Sequence, residues 1–209
     1  MSAKNGFEQK EARYQENDLE TSFIIAYDMP SENRIVYDEK NGNREAKMKV
    51  RSTRIAAISK LHKLGLLCTE SVILVPRMRE KDIEKAIEHV NRLYEDLDQW
   101  LRQKGYSGIE KPLIKVIPLN SQQTVAFKDI AEKRLAEKLD ETIDRLSRLL
   151  DELDDIIDEN VRRKTKYNLN KQEKEIKRLQ EIAKELGIDL EGKFELVFSF
   201  FEEAKNKLL

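Results

Sequence analysis

Asp28 is the first residue whose type and position invite chemistry. It ends the apolar run Phe23–Tyr27 and is followed by Met29-Pro30. A carboxylate at the mouth of a buried strand can hold a hard divalent cation such as magnesium, or meet its mate across a dimer axis. It can equally cap the turn at Met29-Pro30, since Asp bonds to backbone two residues on. Asp28 is therefore the candidate catalytic and metal-ligating residue, and no other cofactor is implied. The second feature is a basic stretch. Arg34, Lys40, Arg44, Lys47, Lys49, Arg51, Arg54, Lys60 and Lys63 stand against three acids, a local excess of +6 in a chain of net charge −1. Clusters of this kind on loops and helix starts bind phosphate backbones, and also occur as plain solvated faces. A third group, Arg162, Arg163, Lys164 and Lys166, follows the acid-rich run DELDDIIDE at 151–159. Those cations suit the end of a long helix, where they complement its dipole, or a tip that touches nucleic acid or a protein partner. The expected nucleic-acid contacts are thus Arg34, Arg44, Lys47, Lys49, Arg51, Arg54, Arg162, Arg163 and Lys164.

Other reactive types are isolated. His62 and His89 each stand alone on a predicted helix, without a His or Cys at ligand spacing, and read as surface or packing residues. The one cysteine, Cys68, excludes an internal disulfide and a multi-cysteine zinc site. In a strand it reads as a small core residue. A Gly-rich phosphate loop, a Walker motif and a serine nucleophile elbow are all missing.

These residues need elements to position them. Phe23–Tyr27, stopped by Pro30, reads as a buried strand. Residues 31–46 read as a long loop around Asn41-Gly42, with a brief hairpin at Val36-Tyr37. Ile55, Ile58, Leu61 and Leu64 fall at helical spacing from about Lys49, and Gly65 reads as the helix stop. Leu66–Cys68 and Ser71–Val75 are extended. Ile83, Ile87, Val90, Tyr94, Leu97 and Leu101 form the stripe of a helix ending before Gly105. Leu113–Ile117 is a last strand. The expected buried face of the sheet comprises Ile24, Ala26, Val72, Leu74, Ile114 and Val116, or their strand neighbours.

Beyond Asn120-Ser121-Gln122-Gln123-Thr124 the pattern changes. Leu139, Ile143, Leu146, Leu150, Leu153 and Ile157 alternate steps of four and three, a coiled-coil-like seam. They predict a helix over about 125–164, roughly 60 Å long. Asn170 with Glu173 reads as a capping box opening a second helix, in which Ile176, Leu179, Ala183 and Leu186 form the answering seam across a turn at 165–170. A third helix carries Phe194, Val197, Phe198, Phe201 and Leu208, with Phe200 off that stripe and facing a second subunit.

The expected organisation is a flexible arm over 1–20, an α+β domain over 21–119 and a helical arm over 120–209. Charged residues make up 38% of the chain, with 39 Lys+Arg against 40 Asp+Glu. That balance argues for salt-bridged helix faces rather than disorder, and a Glu/Lys-rich chain also matches thermophile composition. No apolar run approaches a membrane span, and the first twenty residues lack the apolar core of a secretory signal, so the cytoplasm is the expected location.

The ordered set FIIAYDMP (23–30), Arg51 or Arg54 opening a helix, LHKLGLLCTESVILVP (61–76) and IKVIPL (114–119) resembles the small CRISPR-associated ferredoxin-like proteins, the Cas-two family. The resemblance covers about 100 residues of the N-terminal module. It implies a ferredoxin-like fold, dimerisation through the sheets, Asp28 at the family's proposed metal position, and work as a metal-dependent nuclease or as a scaffold of spacer integration. Three expectations compete. The chain is a dimeric, non-catalytic nucleic-acid-binding scaffold, an assembly protein acting through its helical arm, or a nuclease using Asp28.

Overall fold

The computed structural model of the chain describes residues 22–31, 44–153 and 158–208. The architecture is mixed α+β. It divides into two compact units, residues 1–126 and 127–209. The predicted arm over 1–20, the hairpin at Val36-Tyr37, and Arg34, Lys40 and Ile157 lie outside the described residues.

In the first unit the order is β1 (Phe23–Asp28), α1 (Arg44–His62), β2 (Leu66–Thr69), β3 (Val72–Val75), a 3-10 turn at Arg77–Arg79, α2 (Glu80–Gln103) and β4 (Leu113–Pro118). The four strands form one antiparallel sheet in the order β2-β3-β1-β4. Cross-strand partners in an antiparallel sheet share a face. Ile25 pairs with Ile73 and Val116, and Tyr27 with Ile114. Ile25, Tyr27, Ile73 and Val75 enter one apolar cluster with Val50, Ala57 and Leu61 of α1 and Ile83, Val90, Tyr94, Leu97 and Leu101 of α2. Both helices therefore cover the same sheet face. Each large side chain taken fully out of water there contributes about 1.5–3 kcal/mol.

The expected face Ile24, Ala26, Val72, Leu74, Ile114 and Val116 mixes two sides. Ile24 and Leu74 share one side with Ile117, whereas Ile114 and Val116 sit with Tyr27 and Ile25 on the other. Each strand alternates correctly, but the register between strands decides the set, and a one-residue slip exchanges faces. Ile24 and Leu74 are themselves buried, so β1 and β3 are covered on both sides. Unbroken apolar runs such as FIIAY carry no alternation from which to choose a side.

α1 begins by Arg44, earlier than expected, and its buried stripe is Ala46, Val50, Thr53, Ala57 and Leu61. Ile55, expected on the core stripe, is 60% exposed. Small residues let α1 pack closely against α2, and a stripe of Ala and Thr has little hydropathy contrast with the outer face. Gly65 is not left-handed. A Cβ there would lie 1.9 Å from the Leu74 carbonyl oxygen, so this glycine serves the close passage of the chain over β3 rather than a helix cap. Gly105 does end α2 as expected, at φ 83°. The Tyr106 amide donates to the Leu101 carbonyl at 3.0 Å, closing the turn.

The helices that follow are α3 (Ser121–Leu153), α4 (Glu159–Glu185) and α5 (Glu191–Lys207). A reciprocal capping box opens α3. The Gln123 amide donates to Asn120 Oδ1 at 2.9 Å, and the Asn120 amide donates to Gln123 Oε1 at 3.0 Å. Asn170 and Glu173, expected to form such a box, lie inside α4, and 165–170 is helix rather than turn. The expected continuous helix over 125–164 is broken. Asp158 is the N-cap of α4, its carboxylate accepting from the Asn160 and Val161 amides at 2.7 and 3.3 Å. The acids of 151–159 explain the break: carboxylates oppose the negative C-terminal end of a helix and favour a new N-terminus.

In the second unit the three helices share a core. It contains Leu135, Leu139, Leu146, Leu150 and Leu153 of α3, Leu169, Ile176, Leu179 and Ile182 of α4, and Phe194, Val197 and Phe201 of α5. Cross-helix pairs fix the directions. Lys138 pairs with Glu175, and Leu146 faces Leu169, so α3 and α4 are antiparallel. Lys193 reaches Asp140 and Lys207 Nζ donates to the Leu150 carbonyl, so α5 runs parallel to α3. Phe198 and Phe200 are half-buried, while Phe194 and Phe201 are fully buried.

Candidate nucleic-acid interface

The outer face of α1 carries the candidate interface. Residues 44–63 hold seven cations (Arg44, Lys47, Lys49, Arg51, Arg54, Lys60, Lys63) and one acid, Glu45. Arg44, Lys47, Lys49, Arg51 and Arg54 are all exposed. They must be, because the stripe from Ala46 to Leu61 is spent on the core. Among the described residues no carboxylate pairs with Arg44, Lys49, Arg51 or Arg54. Arg44 to Arg54 spans about 15 Å of helix. Beside them stand two exposed apolar side chains, Met48 and Ile55, each 60% accessible. The neighbouring α2 has the opposite balance, with seven acids and four Lys or Arg. A polyanion on this layer would be confined to α1.

Among the described residues of the second unit, some cations are paired with carboxylates and others, Arg145, Arg148 and Lys164 among them, are not. Arg134, Lys138, Arg163, Lys177, Arg178, Lys193 and Lys205 each reach a carboxylate. The expected tip Arg162, Arg163, Lys164 lies in the opening turns of α4, not at the end of a long helix, so dipole complementation is not its role. Arg162 Nη2 instead donates to the Lys207 carbonyl at 2.8 Å, satisfying the C-terminal end of α5. Arg163 Nε pairs with Glu159 at 3.2 Å. Lys164 is exposed. Among the described residues the expected cations therefore fall into two groups, one on α1 and one on α4.

Asp28 is exposed at the end of β1, opposite Leu113 of β4. Among the described residues no group of three His, Cys, Asp or Glu side chains is arranged to hold a metal ion. The groups near Asp28 include tyrosine and arginine. The Tyr94 hydroxyl donates to the Pro30 carbonyl at 3.2 Å. Burial pushes that hydroxyl up to about 12, with Arg54 opposing the shift and Asp28 adding to it. Arg54 and Asp28 thus act on the same buried group from opposite signs. Burial also raises Tyr27, against the pull of Arg54.

One polar cluster was not foreshadowed by the sequence pattern. The Tyr27 hydroxyl donates to the Glu70 carbonyl at 2.8 Å and lies 2.6 Å from His62 Nε2. A hydroxyl has one proton and a carbonyl can only accept, so His62 Nε2 carries the hydrogen and donates to Tyr27. This pairing ties the last residue of α1 to β1 and to the β2–β3 turn. Spacing carries no signal for it, because the partners are 35 and 43 positions apart. His89 is exposed. Cys68 is buried, and burial raises its thiol to about 11 against one backbone hydrogen bond, so it stays protonated and unreactive. No helix among the described residues is long and apolar enough to cross a membrane. Compared with known families, curated proteins and solved structures, the chain matches none.

Proposed function

We propose that this chain is a non-catalytic nucleic-acid-binding scaffold that works as a dimer, with α1 as its phosphate-contacting element. The observation that carries it is the set of exposed cations at Arg44, Lys49, Arg51 and Arg54, without a carboxylate partner among the described residues, on a helix whose one acid is Glu45. Arg44, Arg51 and Arg54 share one flank of α1 and Lys49 lies on the other. Exposed guanidinium and ammonium groups of this kind release counterions from a phosphate backbone, which gives affinity without sequence dependence. The β-α-β-β-α-β order with strands β2-β3-β1-β4 supports a ferredoxin-like module. It also agrees with the resemblance to the Cas-two family, which is proposed for the first unit alone. Asp28 and Arg54 act on Tyr94 with opposite signs, and Asp28 is the residue to test for metal-dependent cleavage.

A second reading, an assembly protein working through protein contacts, draws on β4. That strand lies at the edge of the sheet with Leu113, Val116 and Ile117 exposed at 59%, 39% and 42%. Exposed apolar edges invite strand pairing, and the same edge supports the proposed dimer. Fluorescence anisotropy with single- and double-stranded DNA and RNA, with and without magnesium, separates the readings. Binding at about 50 mM salt that weakens steeply by about 200 mM supports the scaffold. Absence of binding to all four ligands ends that proposal and leaves assembly. Cleavage that needs magnesium and is lost in Asp28→Ala would instead establish the nuclease.

A further inference from the structure

The groove between α3 and α4 has a volume of about 410 Å³ and is lined by side chains of both helices, Arg145 and Arg148 from α3 and Thr165, Asn168 and Gln172 from α4 among them. We infer that it is an anion site that takes a phosphate group, distinct in residues and in unit from the α1 face. The volume lies in the range of small-ligand sites. Arg145 and Arg148 are three residues apart on one helix, so their Cβ atoms stand about 5–6 Å apart on the same face. Side chains rooted that close can bring both guanidinium groups onto one phosphate or diphosphate, with the Arg148 Nη atoms available while its Nε is held by the Asp144 carbonyl.

Neither arginine has a carboxylate partner among the described residues; Arg148 Nε donates to the Asp144 carbonyl at 3.2 Å. Arg134, Lys138, Arg178 and Lys193 of the same bundle do reach carboxylates, whereas Lys166, Lys171 and Lys174, like these two arginines, do not among the described residues. The facing helix supplies neutral hydrogen-bonding groups rather than acids. Asn168 and Gln172 carry amide donors and Thr165 a hydroxyl, which suits an acceptor-rich ligand and would add nothing to a cation. Leu146, Leu149 and Leu169 also line the groove, while Arg145 and Arg148 are exposed at its mouth. Glu152 is the single acid in the lining. It lies one turn beyond Arg148, so it repels an anion at that end and confines the ligand beside Arg145, Arg148, Asn168 and Gln172.

The phosphate can come from a free phosphorylated small molecule or from a nucleic-acid strand. Calorimetric titration of the full chain with pyrophosphate at low salt, together with anisotropy on a short oligonucleotide, distinguishes the sources. Arg145→Gln with Arg148→Gln should weaken pyrophosphate binding roughly tenfold or more, with an unchanged melting temperature. Glu152→Gln should tighten it, a gain that unfolding cannot imitate. If the double variant weakens pyrophosphate and leaves the oligonucleotide untouched, the source is the free ligand; if both weaken, it is a strand phosphate. Neutralising Arg44, Lys49, Arg51 and Arg54 on α1 should leave the pyrophosphate affinity as it was, so failure of the α1 proposal and failure of this one are separable. No saturable pyrophosphate binding, or equal affinity in wild type and the double variant, overturns the inference.

Discussion

Gly65→Ala is the sharpest perturbation of the first unit. The methyl group would stand 1.9 Å from the Leu74 carbonyl oxygen, 2.8 Å from the Leu74 carbonyl carbon and 2.9 Å from Ile73 Cγ2. Reaching an ordinary separation near 3.4 Å requires backbone movement of about 1.5 Å. The obstacle is not a flexible side-chain end. Leu74 is hydrogen-bonded into the sheet between Ile24 and Leu66, so moving it disturbs β1, β2 and β3 together. A clash of this kind should cost about 3 kcal/mol or more, at the upper end of overpacking changes. For a chain of this length that corresponds to a fall of roughly 6–12 °C in melting temperature. Gly192→Ala is the control: a Cβ there meets nothing within 4 Å at the start of α5. It should be neutral or stabilising by about 0.5 kcal/mol. Urea denaturation followed by circular dichroism measures both. A cost below about 1 kcal/mol for Gly65→Ala would refute the close-passage argument.

Three further outcomes are expected. Leu97→Ala should destabilise by about 2–5 kcal/mol in urea denaturation, because Leu97 is 1% exposed in the cluster beneath α1 and α2. Asp158→Ala should cost about 1 kcal/mol, with helix content lost from the start of α4, and Asp158→Asn should restore most of it. Cys68 should react slowly with a thiol reagent at pH 8 until the chain is unfolded by urea. Its folded pKa is raised to about 11 from 9.0. Between those values the unfolded thiol ionises while the folded one keeps its proton, so the Cys68 contribution falls as pH rises through that window.

How much of this was legible in the sequence depended on whether a feature was local. β1, α2 and the stop at Gly105 were readable, since an apolar run ended by Pro30, a stripe from Ile83 to Leu101 and a left-handed glycine are signals carried by neighbours in sequence. The face of α1 was not, because Ala46, Thr53 and Ala57 are buried through close approach while the larger Met48 and Ile55 remain outside. The break between α3 and α4 was hidden by a heptad pattern that runs on through Leu153, although the acids around Asp158 already opposed a continuous helix. The same capping chemistry read at Asn170 operates at Asn120, where the following residues are free to start a helix. Of the candidate site, the α1 cations were visible as a charge excess. Whether carboxylates neutralise them could be known only once α2 and the sheet had been placed around them. The Tyr27–His62 pairing and the α3–α4 groove depend on tertiary placement alone.

The most direct test of the central claim is the salt dependence of duplex DNA binding by the wild-type chain and by a variant carrying Arg44→Gln, Lys49→Gln, Arg51→Gln and Arg54→Gln. All four side chains are exposed, so the melting temperature should hold while binding changes. Removing one phosphate-neutralising cation should reduce the slope of log affinity against log salt by about 0.9, or roughly 3–4 for the set. A wild-type chain that binds with a steep slope, and a stable variant that has lost most of it, is the result predicted. A slope and affinity unchanged in the variant, or no binding by the wild-type chain at about 50 mM salt, would contradict the assignment of α1 as the nucleic-acid interface.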